Sequence, residues 1–134
     1  MWIQKELTLK PRSRGFHLVT TELLASLPEI ETIRHGLLNL FIKHTSASLT
    51  INENADPSVS GDILTALNTM VPLHGRYQHG EGNSPAHIKA SLTGFSQAVF
   101  VESGKLVLGT WQGIFLCEFD GPRHRKVCVK VLRG

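Results

Sequence analysis

Two cysteines, a single tyrosine and no extended apolar run are what this 134-residue chain has little of. Cys117 and Cys128 both sit inside apolar runs, so they read as buried thiols rather than a bridge. That excludes the small secreted domains built on disulfides. A membrane helix needs about 20 consecutive apolar residues, and no segment comes near that. The opening, MWIQKELTLK, alternates charge and apolar character and lacks the apolar stretch of a signal peptide. Aromatics are only 7% of the chain and do not interleave with a dense basic stripe, which argues against a nucleic-acid surface. Several signatures are also missing: H-E-x-x-H, paired cysteines, a P-loop and the G-x-S-x-G elbow that the HTSAS segment would need to make Ser46 or Ser48 a nucleophile. The exclusions leave a soluble, cytoplasmic chain with neither nucleic acid nor membrane as partner.

What is present is globular. Hydrophobic residues make up 41% and charged residues 19%, with a mass of 14.8 kDa. These values predict one domain over residues 1–134, large enough to bury about two-thirds of its unfolded surface without staples. The net charge is +3. Much of the excess lies near the C-terminus, in Arg123, Arg125, Lys126, Lys130 and Arg133. This reads as a solvated edge strand carrying lysines, with a small anion near Arg123 as the alternative.

The pattern gives about seven or eight strands and two or three helices. Residues 2–9, 16–20, 37–43, 49–53, 98–102, 105–108, 114–119 and 126–131 read as strands, with Ser103-Gly104 as a two-residue hairpin turn. Thr21 to Leu27 is a short helix candidate closed by Pro28. Asp56 caps a longer helix with Pro57 at its first position. Ile63, Leu64, Leu67, Met70 and Val71 form its core-facing stripe. Ser84 is the expected cap of a further helix that ends at Gly94. Grouped strands with grouped helices point to an α+β fold.

Seven histidines are many for this length. His44 ends an apolar strand, His79 lies in a glycine-rich loop over residues 72–83, and His87 occupies the first turn of the helix after Ser84. A helix start disfavours imidazolium, so His87 is held as a neutral base able to take a metal. Three imidazoles from separate elements suit an open zinc site, although their spacing matches no recognised signature. Asn52 and Glu53 stand at a strand-to-helix junction, where Glu53 would orient a ligating histidine by accepting its N–H, act as a general base, or be a plain loop carboxylate. Gln112 and Glu118 share strand parity, but six residues separate them by about 20 Å, too far for one small substrate within one chain. The hydroxyls and amides of HTSAS and EGNS, with the helix start at Ser84, suit a phosphate.

Three segments, HTSASLTINENADP, YQHGEGNSPAHIKASLTG and LVLGTWQGIFLCEFDGPRHRKV, together resemble the YjbQ family of small proteins. The resemblance runs from about Gly15 to the C-terminus. It implies an α+β fold, with a mixed sheet and helices on one side, assembled as a homotrimer. It also implies that His44, His79 and His87 converge on a divalent metal such as zinc. Thr45, Ser46, Asn83, Gln112 and Arg123 would then bind the ligand, with Glu53, Asn52 and Glu118 in catalytic roles. Family members described as secondary thiamine-phosphate synthases imply the joining of a pyrimidine diphosphate to a thiazole phosphate with loss of pyrophosphate. Two other readings stand beside it: metal-assisted hydrolysis of a small phosphorylated metabolite with Glu53 as base, and a non-catalytic trimer that captures such a metabolite.

Overall fold

Alternation of apolar and polar residues organises most of the chain, and the layers follow from where the alternation breaks. The computed structural model describes residues 2–134. Its strands are β1 (Trp2–Leu9), β2 (Gly15–Leu18), β3 (His35–Ile42), β4 (Ala47–Glu53), β5 (Ser96–Glu102), β6 (Lys105–Leu106), β7 (Gln112–Glu118) and β8 (Arg125–Arg133). Its helices are α1 (Thr20–Ala25), α2 (Pro57–Met70) and α3 (Ser84–Thr93), with a 3-10 turn at Pro28–Thr32. The α+β class expected from the sequence is the one observed. The strands, however, form two sheets, in the orders β1-β8-β3-β5-β6 and β2-β7-β4, rather than one mixed sheet. Every pairing is antiparallel.

One core lies between the sheets. Leu38, Leu40 and Ile42 of β3 and Val127, Val129 and Val131 of β8 meet Ala47 and Leu49 of β4 and Ile114 and Leu116 of β7. Leu23 of α1, with Leu27, Ile30 and Ile33 beyond it, closes the side of this core. Each such fully buried aliphatic side chain contributes about 1.5–3 kcal/mol. A second, smaller cluster lies on the far face of the three-stranded sheet, where Cys117 and Phe119 meet Leu67 of α2 and Ala86 and Ala90 of α3. β7 is therefore buried on both faces, which is why Ile114 to Phe119 is apolar without alternation. α2 and α3 share this outer layer.

Several local expectations need correction. β8 is not an edge strand: it sits between β1 and β3, and its lysines project from the solvent face of a central strand. Met70 is 68% exposed, so the core stripe of α2 ends at Leu67, with Val71 buried just beyond the last turn. The cap of α3 is Asn83 rather than Ser84, and its side chain makes no capping bond. β6 is only two residues long. The expected short helix begins one residue earlier and ends at Ala25, but two other signals are realised as read. Asp56 Oδ1 accepts from the Ser58 amide at the head of α2, and Ser103-Gly104, both at positive φ, turns β5 into β6. Both cysteines are free; Cys117 is buried and Cys128 half-buried.

Candidate functional site

Register brings two connections to one end of the molecule, and a third joins them. Ile42 pairs with Val127 and Ala47 with Glu118, so the β3–β4 and β7–β8 connections leave their sheets side by side. Backbone bonds stitch them together, from Lys43 N–H to the Lys126 carbonyl and from Phe119 N–H to the Ser46 carbonyl. The start of α3 and the loop before it complete the enclosure, because His87 reaches the Thr45 carbonyl and Asn83 reaches Asp120. A cavity of about 530 Å³ results, and His44, Thr45, Ser46, His79, Asn83, His87 and Arg123 all line it. Seven of the eleven residues singled out as site candidates are thus brought together.

The hydrogen bonds decide what each imidazole offers. His44 Nε2 accepts the Lys126 N–H at 2.8 Å, so in the neutral ring the proton is on Nδ1. Burial, then the positive charges of Arg125, Lys126 and Lys43, push His44 below its ordinary 6.5, against an opposing pull from Glu118. His44 is a neutral N–H donor. His87 is the converse. Its Nδ1 lies 2.9 Å from the Thr45 carbonyl, an acceptor only, so Nδ1–H donates and Nε2 keeps a free lone pair. The rings of His79 and His87 meet edge to face at 5.5 Å. Neutral imidazoles suit zinc, but here His44 has its Nε2 committed to the backbone. Among the described residues, no group of three or more His, Cys, Asp or Glu stands in metal-holding geometry. As arranged, the three rings line a pocket without forming a ligand set.

Beneath the pocket lies a buried ion pair. Arg125 Nε donates to Glu118 Oε1 at 2.7 Å, and its Nη2 donates to Glu118 Oε2, the Ser46 hydroxyl and the Ser46 carbonyl. The side chains are 2% and 0% exposed. Glu118 Oε2 also accepts the Asp120 amide, so both carboxylate oxygens are occupied and Glu118 positions its surroundings. Ser46 likewise faces Arg125. Higher in the wall, Asp120 accepts from Asn83 Nδ2 at 2.8 Å and from Arg123 at 3.0 Å, while Arg14 reaches its other oxygen. Burial pushes the Asp120 carboxyl up, but the Asn83 bond and Arg123 outweigh it and hold the group below its ordinary 3.8. The Asp120 bond also fixes which way the Asn83 amide faces, and its buried Oδ1 has no partner.

Three candidates lie elsewhere. Glu53 pairs with Gln112 across β4 and β7, at the opposite end of the sheet from Ala47 and Glu118. Six residues of strand put that end about 20 Å from the pocket. There Glu53 Oε2 accepts the amides of Ala55 and Asp56, Asn52 Oδ1 accepts the Glu53 amide, and Gln112 Oε1 accepts the Gly109 amide. These three side chains shape the turns into α2 and β7. Within one chain they do not touch the histidines.

The same architecture occurs in proteins of known sequence and structure. The profile of the family described as UPF0047 protein YjbQ-like matches residues 5–134. The chain belongs to the YjbQ family. The UPF0047 protein YjbQ of Escherichia coli O157:H7 is 49% identical over 137 aligned residues, covering 100% of this chain and 99% of that protein. The UPF0047 protein YugU of Bacillus subtilis is 45% identical over 130, covering 96% and 98%. A crystal structure of a YjbQ/UPF0047 family protein from Clostridium acetobutylicum superimposes with a TM-score of 0.88 at 50% identity, covering 96% and 99%. The crystal structure of a hypothetical protein from Aeropyrum pernix gives 0.88 at 31%, covering 98% and 99%.

The YjbQ-like pocket also contains residues that sequence reasoning passed over. Lys43, His124 and Arg125 line it. His124 follows Arg123 in the connection to β8, so the motif PRHRK carried the signal. The pattern predicts Arg125 on a solvated strand, whereas it enters the interior because Glu118 is there to meet it. Nothing local to either residue announces that pairing, which depends on the two strands sharing one end of the core.

Proposed function

We propose that the histidine pocket binds the phosphate or diphosphate end of a small metabolite, and that the chain works as a transferase of the thiamine-phosphate-synthase type. One observation carries this reading: around one open volume stand the His44 Nδ1–H, the imidazoles of His79, His87 and His124, and the cations of Lys43 and Arg123, with Glu81 the exposed carboxylate among them. Lys43 and Arg123 are shared with Glu6 and Asp120 at 2.7 and 3.0 Å, so they are positioned by their pairs and still border the cavity. Donors fixed in this way stabilise charge that develops on a departing pyrophosphate. His87 Nε2, with its free lone pair, is the group placed to take or give a proton. The organic half of the reaction is the joining of a pyrimidine diphosphate to a thiazole phosphate. Binding of inorganic pyrophosphate followed by calorimetry tests the site, and release of pyrophosphate from the two phosphorylated substrates tests the reaction. Saturable binding that weakens in Arg123→Ala is the expected result. Binding without turnover would leave the capture-module reading. No binding would overturn both.

The companion proposals concern metal and assembly. A zinc ion on His44, His79 and His87 requires His44 to release the Lys126 amide, since a neutral ring cannot use that nitrogen twice. Elemental analysis of protein purified without a histidine tag tests it, and hydrolysis with a metal-activated water is its enzymatic corollary. The two ligands respond oppositely to acid: protonated imidazoles hold an anion more tightly and a metal less. A cytoplasmic homotrimer is the proposed form, and a neighbouring subunit is the means by which Asn52, Glu53 and Gln112 would reach a pocket.

A further inference from the structure

The structure holds a second cavity, about 540 Å³, which shares Asn83 with the histidine pocket but is built of different material. Leu64 of α2, Leu73 and Pro72 of the following loop, Ala86 of α3 and Phe119 after β7 give it apolar walls. Lys89 of α3 also lines it and is 9% exposed. Its Nζ donates to Asn68 Oδ1 at 2.5 Å and lies 6.0 Å from the centroid of the Phe119 ring. An ammonium has three protons to donate, and only one is used on a protein oxygen. Among the described residues no carboxylate pairs with Lys89. The acids that border the cavity are already engaged, Glu118 by Arg125 and Asp120 by Arg14 and Arg123.

A buried ammonium with only a neutral amide for partner is a charge awaiting a counter-ion, because burial of a charge is tolerated when it is paired and hydrogen-bonded. The open volume adjoins that ammonium, and it falls in the range of small-molecule sites, about 300–1,000 Å³. We infer that this cavity binds a small organic acid, whose carboxylate meets Lys89 and whose apolar body lies against Leu64, Leu73 and Phe119. A single buried cation among apolar walls suits a monoanion with a carbon body better than a bare phosphate, which collects several donors at once. Arg14, at the rim, adds positive charge on the approach. This site is independent of the phosphate reading of the histidine pocket, from which it differs in ligand chemistry and in every lining residue but Asn83.

Benzoate and its neutral isostere benzamide are suitable probes, followed by NMR titration of the methyl and amide signals of the intact chain. Benzoate is expected to shift the signals of Leu64, Ala86 and Phe119 saturably. Benzamide should bind more weakly by about tenfold or more, the loss of one charge-assisted hydrogen bond. Lys89→Met keeps the alkyl stem and removes the charge, and should weaken benzoate by a similar factor. His79→Ala, on the other pocket, should leave benzoate binding unchanged. Absence of saturable binding, or equal binding of benzoate and benzamide by the unaltered protein, would overturn the inference. The benzamide comparison needs no variant, so it holds even where Lys89→Met folds poorly. Neither result bears on pyrophosphate binding.

Discussion

Removing Arg125 would leave Glu118 as a fully buried carboxylate with only the Asp120 amide to hold it. Breaking one side of a buried pair costs about 3–5 kcal/mol, and that is the loss expected for Arg125→Met in urea denaturation. Adding Glu118→Gln should recover part of it, because the orphaned charge is then gone. The two thiols should separate just as clearly. Burial pushes the Cys117 thiol up to about 12 despite its bond with Ser48, so in the folded protein it should resist alkylation while half-buried Cys128 reacts. Asp120 sets an acid limit. Its folded carboxyl lies below the ordinary 3.8, so the unfolded chain binds the proton first as pH falls. The stability it contributes is present above pH 3.8 and is lost as pH drops through the lowered value. Asp120→Asn should flatten that stretch of the stability–pH curve.

At the scale of elements, the sequence speaks clearly where one segment meets solvent on one side. Asp56 before Pro57 marks the head of α2, and the Ser103-Gly104 turn marks its hairpin, because both are set by residues adjacent in the chain. Leu67→Ala should destabilise by about 2–5 kcal/mol in thermal or chemical unfolding, since this leucine is 8% exposed against Cys117 and the α3 alanines. A substitution at Met70 should cost far less. The helical period alone placed Met70 with the core, but the buried line runs through Leu67 and Val71, and Met70 stands on its solvent flank. The same limit applies at the site. His44, His79 and His87 were legible as a group by type and by resemblance, whereas the partner of His44 is an amide 82 residues further on. Asn83 was legible as a pocket residue, but not as the cap of α3, since Asp120 takes its side chain.

The whole molecule presents two separated polar clusters and one conspicuous apolar row. Across the outer face of the larger sheet, Trp2, Leu132, Leu37 and Phe100 stand in register, with Val107 beside them. Trp2, Phe100 and Val107 are 60%, 69% and 49% exposed. An apolar row of this kind is what a subunit contact would cover. The proposed homotrimer should give a light-scattering mass near three times 14.8 kDa at micromolar concentration, and a clean monomer mass would remove the route by which Glu53 reaches a histidine pocket.

β8 is the last strand in the chain and stands second in the larger sheet, with β1 outside it and β3 within. During synthesis β1 must therefore wait for β8. Until β8 leaves the ribosome, β1 has no strand to pair with, and Ile3, Leu7 and Leu9 lack the neighbour that fixes them to the sheet. The fold closes as a late, long-range event, of the kind that slows folding when distant segments must meet. A nascent chain halted after Pro122 should stay protease-sensitive and bound by chaperones, and release of the remaining residues should make it resistant in a single step. Few internal loop changes would be as damaging as the loss of those final residues.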